Sequence, residues 1–222
     1  RQEPVVADRS RCDSCGAALR AWELVPLISW AALGGRCVRC GEAIGLRPLL
    51  IELAYLAMGV AALLVLNGSL FWIGCVLGWV LLGLALIDLE AFLLPDVITF
   101  PLIAIGLAVA GISGRGEFLD HALAAILGFA ILFAVARGYR AATGRDGLGL
   151  GDVKLFAAAG AWLGVQGMPP ALLLASLSAL AEVLVRRMVT GHVGRLDRLA
   201  FGPYLALAMW VGWVFSTPIL AG

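Results

Sequence analysis

Two aspartates stand where an apolar chain carries them at most cost. Asp152 follows two glycines in Gly149-Leu150-Gly151-Asp152-Val153-Lys154, at the mouth of an apolar segment, and Asp88 ends an earlier one. An ionisable residue at a membrane segment is costly enough to mark a functional site by default. Two carboxylates close together in a dry site cannot both ionise cheaply, so the pair keeps one shared proton. The charged member can take a proton from water while the protonated member hydrogen-bonds a carbonyl under attack. That is peptide-bond hydrolysis without a covalent intermediate. Gly149 and Gly151 let backbone come close, so a substrate strand can lie beside the acid. Plainer readings stand beside this one. An Asp at a helix start is often an N-cap, Asp88 alone suits an interfacial position, and an aspartate pair in a membrane can relay protons or ions in a carrier. Residue chemistry alone leaves protease and carrier both open.

Four of the five cysteines form a second cluster, Cys12-x-x-Cys15 and Cys37-x-x-Cys40, each pair followed by glycine (Gly16, Gly41). Two tight turns that each offer two thiolates close a tetrahedral zinc shell; the alternative is two disulfides. An arginine-rich flank argues for the reducing, cytosolic side and so for zinc. Cys75 lies alone in an apolar span and reads as a small core residue.

These residues need elements to hold them. The chain is 222 residues, 62% hydrophobic and 14% charged, with mean hydropathy +0.98. A soluble domain is about half apolar and a quarter charged, so this is a multi-pass membrane composition. A net charge of +1 says nothing about nucleic acid. Residues 1 to 47 are polar. Within them Trp22 to Trp30 is too short to span and suits the interface or a packing role on the cysteine module. Seven apolar segments follow: Leu49 to Leu66, Leu70 to Ile87, Val97 to Ile112, Leu119 to Ala136, Val153 to Val165, Ala171 to Val185 and Tyr204 to Leu220. No period-2 pattern is present, so they read as helices. The fifth would be only about 20 Å long; rich in Ala and Gly, it suits packing among neighbours. If the segments alternate, the module's seven arginines share one side with Arg137, Arg140, Arg145, Lys154, Arg186, Arg187, Arg195 and Arg198. Of sixteen basic residues only Arg115 falls opposite. The positive-inside rule then puts the module, Asp88 and Asp152 on the cytoplasmic side and the C-terminus outside.

Other ionisable residues rank lower. Glu23 and Glu52 are secondary candidates. Lys154 either steadies the charge at Asp152 or reaches lipid headgroups. Asp96 reads as a loop-shaping cap of the third segment, Glu182 as a partner of Arg186 one turn on, and His121 and His192 as interfacial or solvated.

The chain resembles the bacterial type IV prepilin peptidases (leader peptidase and N-methyltransferase). The resemblance rests on the paired Cys-x-x-Cys module, Val25-Pro26-Leu27-Ile28-Ser29-Trp30, Gly35-Arg36-Cys37, Asp88-Leu89-Glu90 with Leu94-Pro95-Asp96, Gly149 to Lys154, Gly160-Ala161-Trp162-Leu163-Gly164 and Phe201-Gly202-Pro203-Tyr204-Leu205-Ala206, in that order. It implies a GxGD-type membrane aspartyl protease with Asp88 and Asp152 as the catalytic pair. Such enzymes cut a short basic leader from type IV prepilins and type II secretion pseudopilins, after a glycine at the cytoplasmic edge of the substrate's apolar helix. Many then methylate the new N-terminus with S-adenosylmethionine, and in those the four cysteines bind zinc. Members usually open with one more apolar segment, so eight spans are implied for the full protein, the extra part belonging with the methyltransferase half. Where members often read Arg-Tyr-Pro-Leu-Val-Glu-Leu, this chain has Arg47-Pro48-Leu49-Leu50-Ile51-Glu52-Leu53.

The expected fold is therefore all-α: a polytopic membrane protein with about seven transmembrane helices and a small cytoplasmic zinc-binding module, divided as residues 1–48 and 49–222. The expected site residues are Asp88 and Asp152, supported by Gly149, Gly151 and Lys154, with Cys12, Cys15, Cys37 and Cys40 as metal ligands. The expected cofactors are Zn2+ and S-adenosylmethionine, the latter with no conventional glycine-rich site to hold it. The expected partners are prepilins, pseudopilins and the lipid bilayer of the bacterial inner membrane, with no nucleic acid. A carboxylate-based carrier and a non-catalytic pilus or secretion assembly factor are the alternatives.

Overall fold

The computed structural model describes residues 11–12, 14–25, 27–190 and 199–220. Arg1, Arg9, Pro26, His192, Arg195 and Arg198 lie outside them. Among the described residues the regular elements are helices joined by turns and loops, with two isolated bridges, Arg11 with Ala18 and Arg36 with Ala43. It divides into two compact units, residues 1–60 and 61–222.

In the first unit each bridge closes the same knuckle. Cys12 N–H donates to the Ala17 carbonyl and Gly16 N–H to the Cys12 carbonyl, at 2.9 and 2.8 Å; Cys37 to Glu42 and Gly41 to Cys37 repeat this at 2.9 and 2.9 Å. The turn ends in a left-handed residue, φ +68 at Gly16 and +70 at Gly41, which glycine adopts without strain. Between the knuckles lie a 3-10 turn, Ala21–Leu24, and a short helix α1, Ile28–Ala32. The Trp30 indole packs on Gly35, beside the second knuckle, in keeping with a packing role for that stretch. Leu27 is held at φ 58, a strained conformation for a branched side chain. Its N–H donates to Glu52 Oε2 at 2.6 Å, from helix α2, Leu46–Val65. A charge-assisted bond of that kind offsets the strain, so Glu52 is a brace. Glu23 turns back to accept the Arg20 N–H at 2.8 Å and caps the 3-10 turn.

The second unit holds α3 (Ser69–Ala91), α4 (Asp96–Ser113), α5 (Arg115–Thr143), α6 (Leu150–Thr190) and α7 (Gly202–Leu220). Among the described residues five helices, α2 to α6, are long and apolar enough to cross a membrane, and α7 is a shorter apolar helix over Gly202–Ser216. Two expected spans, Val153 to Val165 and Ala171 to Val185, are thus parts of one helical run. That run is broken at Gly164, with φ 66 and ψ −178. Before the break nearly every residue from Val153 to Trp162 is buried, so this half is enclosed on all sides. Beyond it only a stripe, Met168, Ala171, Ala175 and Ala179, is covered. Small residues allow the enclosure: a Cβ at Gly160 would lie 2.6 Å from the Ala124 backbone of α5.

The break has its own partners. In an unbroken helix the Val165 N–H would bond the Ala161 carbonyl. Here Asp120 Oδ2 accepts the Val165 N–H at 3.0 Å, and His121 Nδ1 donates to the Ala161 carbonyl at 2.9 Å. Two adjacent side chains of α5 therefore satisfy the two ends of one severed backbone bond. His121, expected as interfacial or solvated, is not solvated: its side chain is 17% exposed and engaged. Glu182 does pair with Arg186 as expected.

Candidate active site and metal centre

Asp88 continues a buried stripe. Gly74, Leu77, Leu81, Leu84 and Ala85 of α3 face inward, and Asp88 follows on the same face in the last turn. It is 6% exposed and, with Thr99, one of two buried polar side chains among the described residues. α3 then stops at Phe92, in the left-handed region at φ 50, and its N–H donates to the Asp88 carbonyl at 2.9 Å. Asp152 arrives from the other direction, in the first turn of α6 behind Gly149. Asp88 and Asp152 line one cavity of about 440 Å³, together with the Phe92–Asp96 connection, Gly149, Leu150, Gly151 and Lys154. That volume suits a few residues of an extended peptide.

The glycines make this meeting possible. A Cβ at Gly151 would lie 3.0 Å from Leu94 Cβ, and one at Gly149 3.2 Å from Asp152 Oδ2. They make room for the α3–α4 connection and for the acid itself. Lys154 was expected to steady Asp152 or to reach lipid headgroups. Its Nζ sits 2.5 Å from Asp96 Oδ1 and 5.6 Å from the centre of the Phe100 ring. Lys154 thus ties α6 to the start of α4 at the cavity rim and does not engage Asp152. Asp96, expected as a cap, makes no capping bond; Pro95 is the N-cap residue.

One participant went unseen in the sequence. Gly202, the first residue of α7, donates its N–H to Asp88 Oδ2 at 3.1 Å, and a Cβ there would lie 2.6 Å from that oxygen. A helix N-terminus thereby faces a carboxylate, the favourable sense for its dipole. Gly-Pro at a helix start was a visible signal, but nothing in it named Asp88 as the partner.

The four expected metal ligands meet in the first unit. The sulfurs of Cys12, Cys15, Cys37 and Cys40 all lie within 4.8 Å of one another, and those of Cys12 and Cys40 are 3.9 Å apart. Tetrahedral zinc with bonds of about 2.3 Å needs sulfurs about 3.8 Å apart, whereas a disulfide needs about 2 Å. The donor set fits a thiophilic ion and leaves the cysteines as thiols, not disulfides. The N–H groups of Cys40 and Arg39 lower Cys37 to about 7. Cys40 moves up to about 12: the Glu42 N–H favours its thiolate, but burial and the sulfurs of Cys37, Cys15 and Cys12 outweigh it. Cys75 is buried in α3, as expected of a small core residue.

Known proteins bear on both sites. Residues 75–184 match the model of the type IV leader peptidase family, and residues 1–66 that of the bacterial peptidase A24 N-terminal domain. A prepilin leader peptidase/N-methyltransferase of Pseudomonas aeruginosa is 39% identical, the alignment covering 97% of this chain and 74% of that protein. Proteins of the same name from Aeromonas salmonicida (36%; 97% and 74%) and Stutzerimonas stutzeri (38%; 96% and 73%) are similar. The chain belongs to the type IV leader peptidase family. The segment matching the leader peptidase model contains both Asp88 and Asp152, and the N-terminal domain match contains all four cysteines. No solved structure matches the chain.

Proposed function

We propose that this member of the leader peptidase family cuts the leader from prepilins with Asp88 and Asp152 and N-methylates the new N-terminus. The observation that carries the peptidase reading is that two aspartates, each at the end of an apolar helix, line one cavity. One proton is shared between them. Gly202 N–H occupies Asp88 Oδ2, which leaves Oδ1 for the chemistry. The charged carboxylate draws a proton from water as the water attacks, while the protonated one hydrogen-bonds the carbonyl oxygen. The proton then passes to the leaving nitrogen, and both product chains depart without an acyl-enzyme. Pseudopilins of type II secretion are the second expected substrate class. A carrier would need polar groups along its spans, and the described helices bury only Asp88 and Thr99.

Residues 1–48 serve in this reading as the zinc module, with Cys12, Cys15, Cys37 and Cys40 as ligands, and residues 49–222 as the protease domain. Zinc supplies cross-linking of two knuckles that have little core of their own. S-adenosylmethionine enters through the methyltransferase activity; among the described residues no strand leads into a glycine-rich loop that would hold it. The 41 residues of α6 would reach about 60 Å, twice a hydrocarbon core of about 30 Å. We therefore read the break at Gly164 as the division between two crossings. That restores the alternation in which Asp88, Asp152 and the module share the cytoplasmic face of the inner membrane.

The test is incubation of the full-length protein with a prepilin in detergent or bilayer, followed by mass spectrometry of the pilin. Loss of the leader and gain of one methyl group on the new N-terminus are expected. An intact prepilin would overturn the peptidase reading, and a cleaved but unmethylated one the methyltransferase half.

A further inference from the structure

A groove of about 430 Å³ runs between α3 and α4. The two helices follow each other in the chain, yet each packs elsewhere: α3 on α7, and α4 on α5 and α6. The space between them is walled by Trp72, Val76 and Val80 of α3 and by Val97 and Ile105 of α4, over a floor that includes Trp162 of α6. The Trp162 N–H is spent on the Leu102 carbonyl at 2.8 Å, so the floor asks nothing polar of an occupant. One end abuts the aspartates: Asp96 lines their cavity, and the next residue, Val97, lines the groove. From Val97 to Val109 the α4 wall is about 18 Å long, enough for roughly a dozen residues of helix.

We propose that this groove seats the apolar segment of the substrate that adjoins the scissile bond. The inference rests on the peptidase reading and adds where that substrate lies. An acyl chain also suits an apolar groove; continuity with the catalytic cavity is what favours the peptide. A segment lying along α4 carries its next residues past Val97 and in between the two carboxylates. Pro101 has no N–H, so the Val97 carbonyl has no helical donor one turn on. An extended peptide leaving the groove brings free N–H groups to that same level.

Photocrosslinking tests it. p-Benzoylphenylalanine replaces Trp72 or Ile105, or Leu177, exposed on the second half of α6, as comparison. Each full-length variant is irradiated in bilayer discs with a prepilin, in an Asp152→Asn background so that the substrate is not consumed. Adducts to the prepilin's apolar segment are expected at Trp72 and Ile105, about tenfold above Leu177, an excess that corresponds to about 1.4 kcal/mol of preferential occupancy. Adducts to lipid alone, or equal yields at all three positions, overturn the inference. In the otherwise native protein, Val76→Trp and Ile105→Trp fill the groove and raise KM about tenfold with kcat little changed; an unchanged KM overturns it too. A wild type that cleaves no prepilin overturns the peptidase reading and this inference together. A wild type that cleaves while the groove positions stay silent overturns the inference alone.

Discussion

Gly202 reaches Asp88 because it has no side chain. A methyl group there would lie 2.6 Å from Asp88 Oδ2, so Gly202→Ala must push the carboxylate aside. Misplacing a reacting group by about 1 Å costs about a hundredfold in rate. Gly202→Ala is therefore expected to lower kcat by about that factor while the melting temperature in detergent moves little, as paired kinetic and thermal measurements will read. The metal centre gives a second prediction at this scale. Cys37, at about 7, is a thiolate at pH 8 before any ion arrives, whereas Cys40, at about 12, surrenders its proton only to the metal. Binding therefore releases protons and weakens as pH falls. Between pH 8 and 6 Cys40 alone weakens zinc by about tenfold per pH unit, and Cys37 adds to this as it protonates below about 7. Competition with a chromophoric chelator measures this; a pH-independent affinity would remove these thiols from the ligand set. The aspartates and cysteines were legible in sequence because a membrane carboxylate is expensive and two Cys-x-x-Cys-Gly turns have few other uses. Lys154 was expected to steady Asp152 or reach lipid headgroups, and its pairing with Asp96 was not foreseen. Residues two apart on a helix point apart, so Lys154 could not face Asp152 and pairs with Asp96.

At the level of elements, the enclosed half of α6 carries Asp152 at one end and the Gly164 break at the other. The conformation at Gly164 belongs to glycine, and a Cβ there would run into Asp120. Asp120→Ala strands the Val165 N–H, and His121→Ala strands the Ala161 carbonyl. Each is expected to cost about 1–3 kcal/mol, read by denaturant unfolding in detergent, and the double variant to cost less than the sum. Full additivity would show that the two side chains act separately. Hydrophobic runs located the other helices well, since a membrane helix announces itself by composition. The fifth expected segment ends at Val165, beside the break at Gly164, but how the break is held was not legible. Gly164 sits in an unremarkable apolar run, and Pro169 and Pro170, the stronger breakers by sequence, lie inside the helix that resumes after it. What permits the break is Asp120 and His121, more than forty residues earlier, and sequence spacing carries no trace of that meeting.

At the scale of the molecule, two compact units carry two chemistries: four thiols suited to one metal ion in residues 1–60, and two carboxylates in one cavity in residues 61–222. The account centres on the second. If Asp88 and Asp152 share one proton and one water, neither works alone, and losing either removes nearly the whole effect. The most direct measurement is cleavage of a prepilin by wild type, Asp88→Asn and Asp152→Asn, each purified with its helical content and melting temperature checked. Cleavage by the wild type, with at least about a thousandfold loss in both variants and the fold retained, is the predicted result. A folded variant of either that still cleaves at the wild-type rate would contradict it.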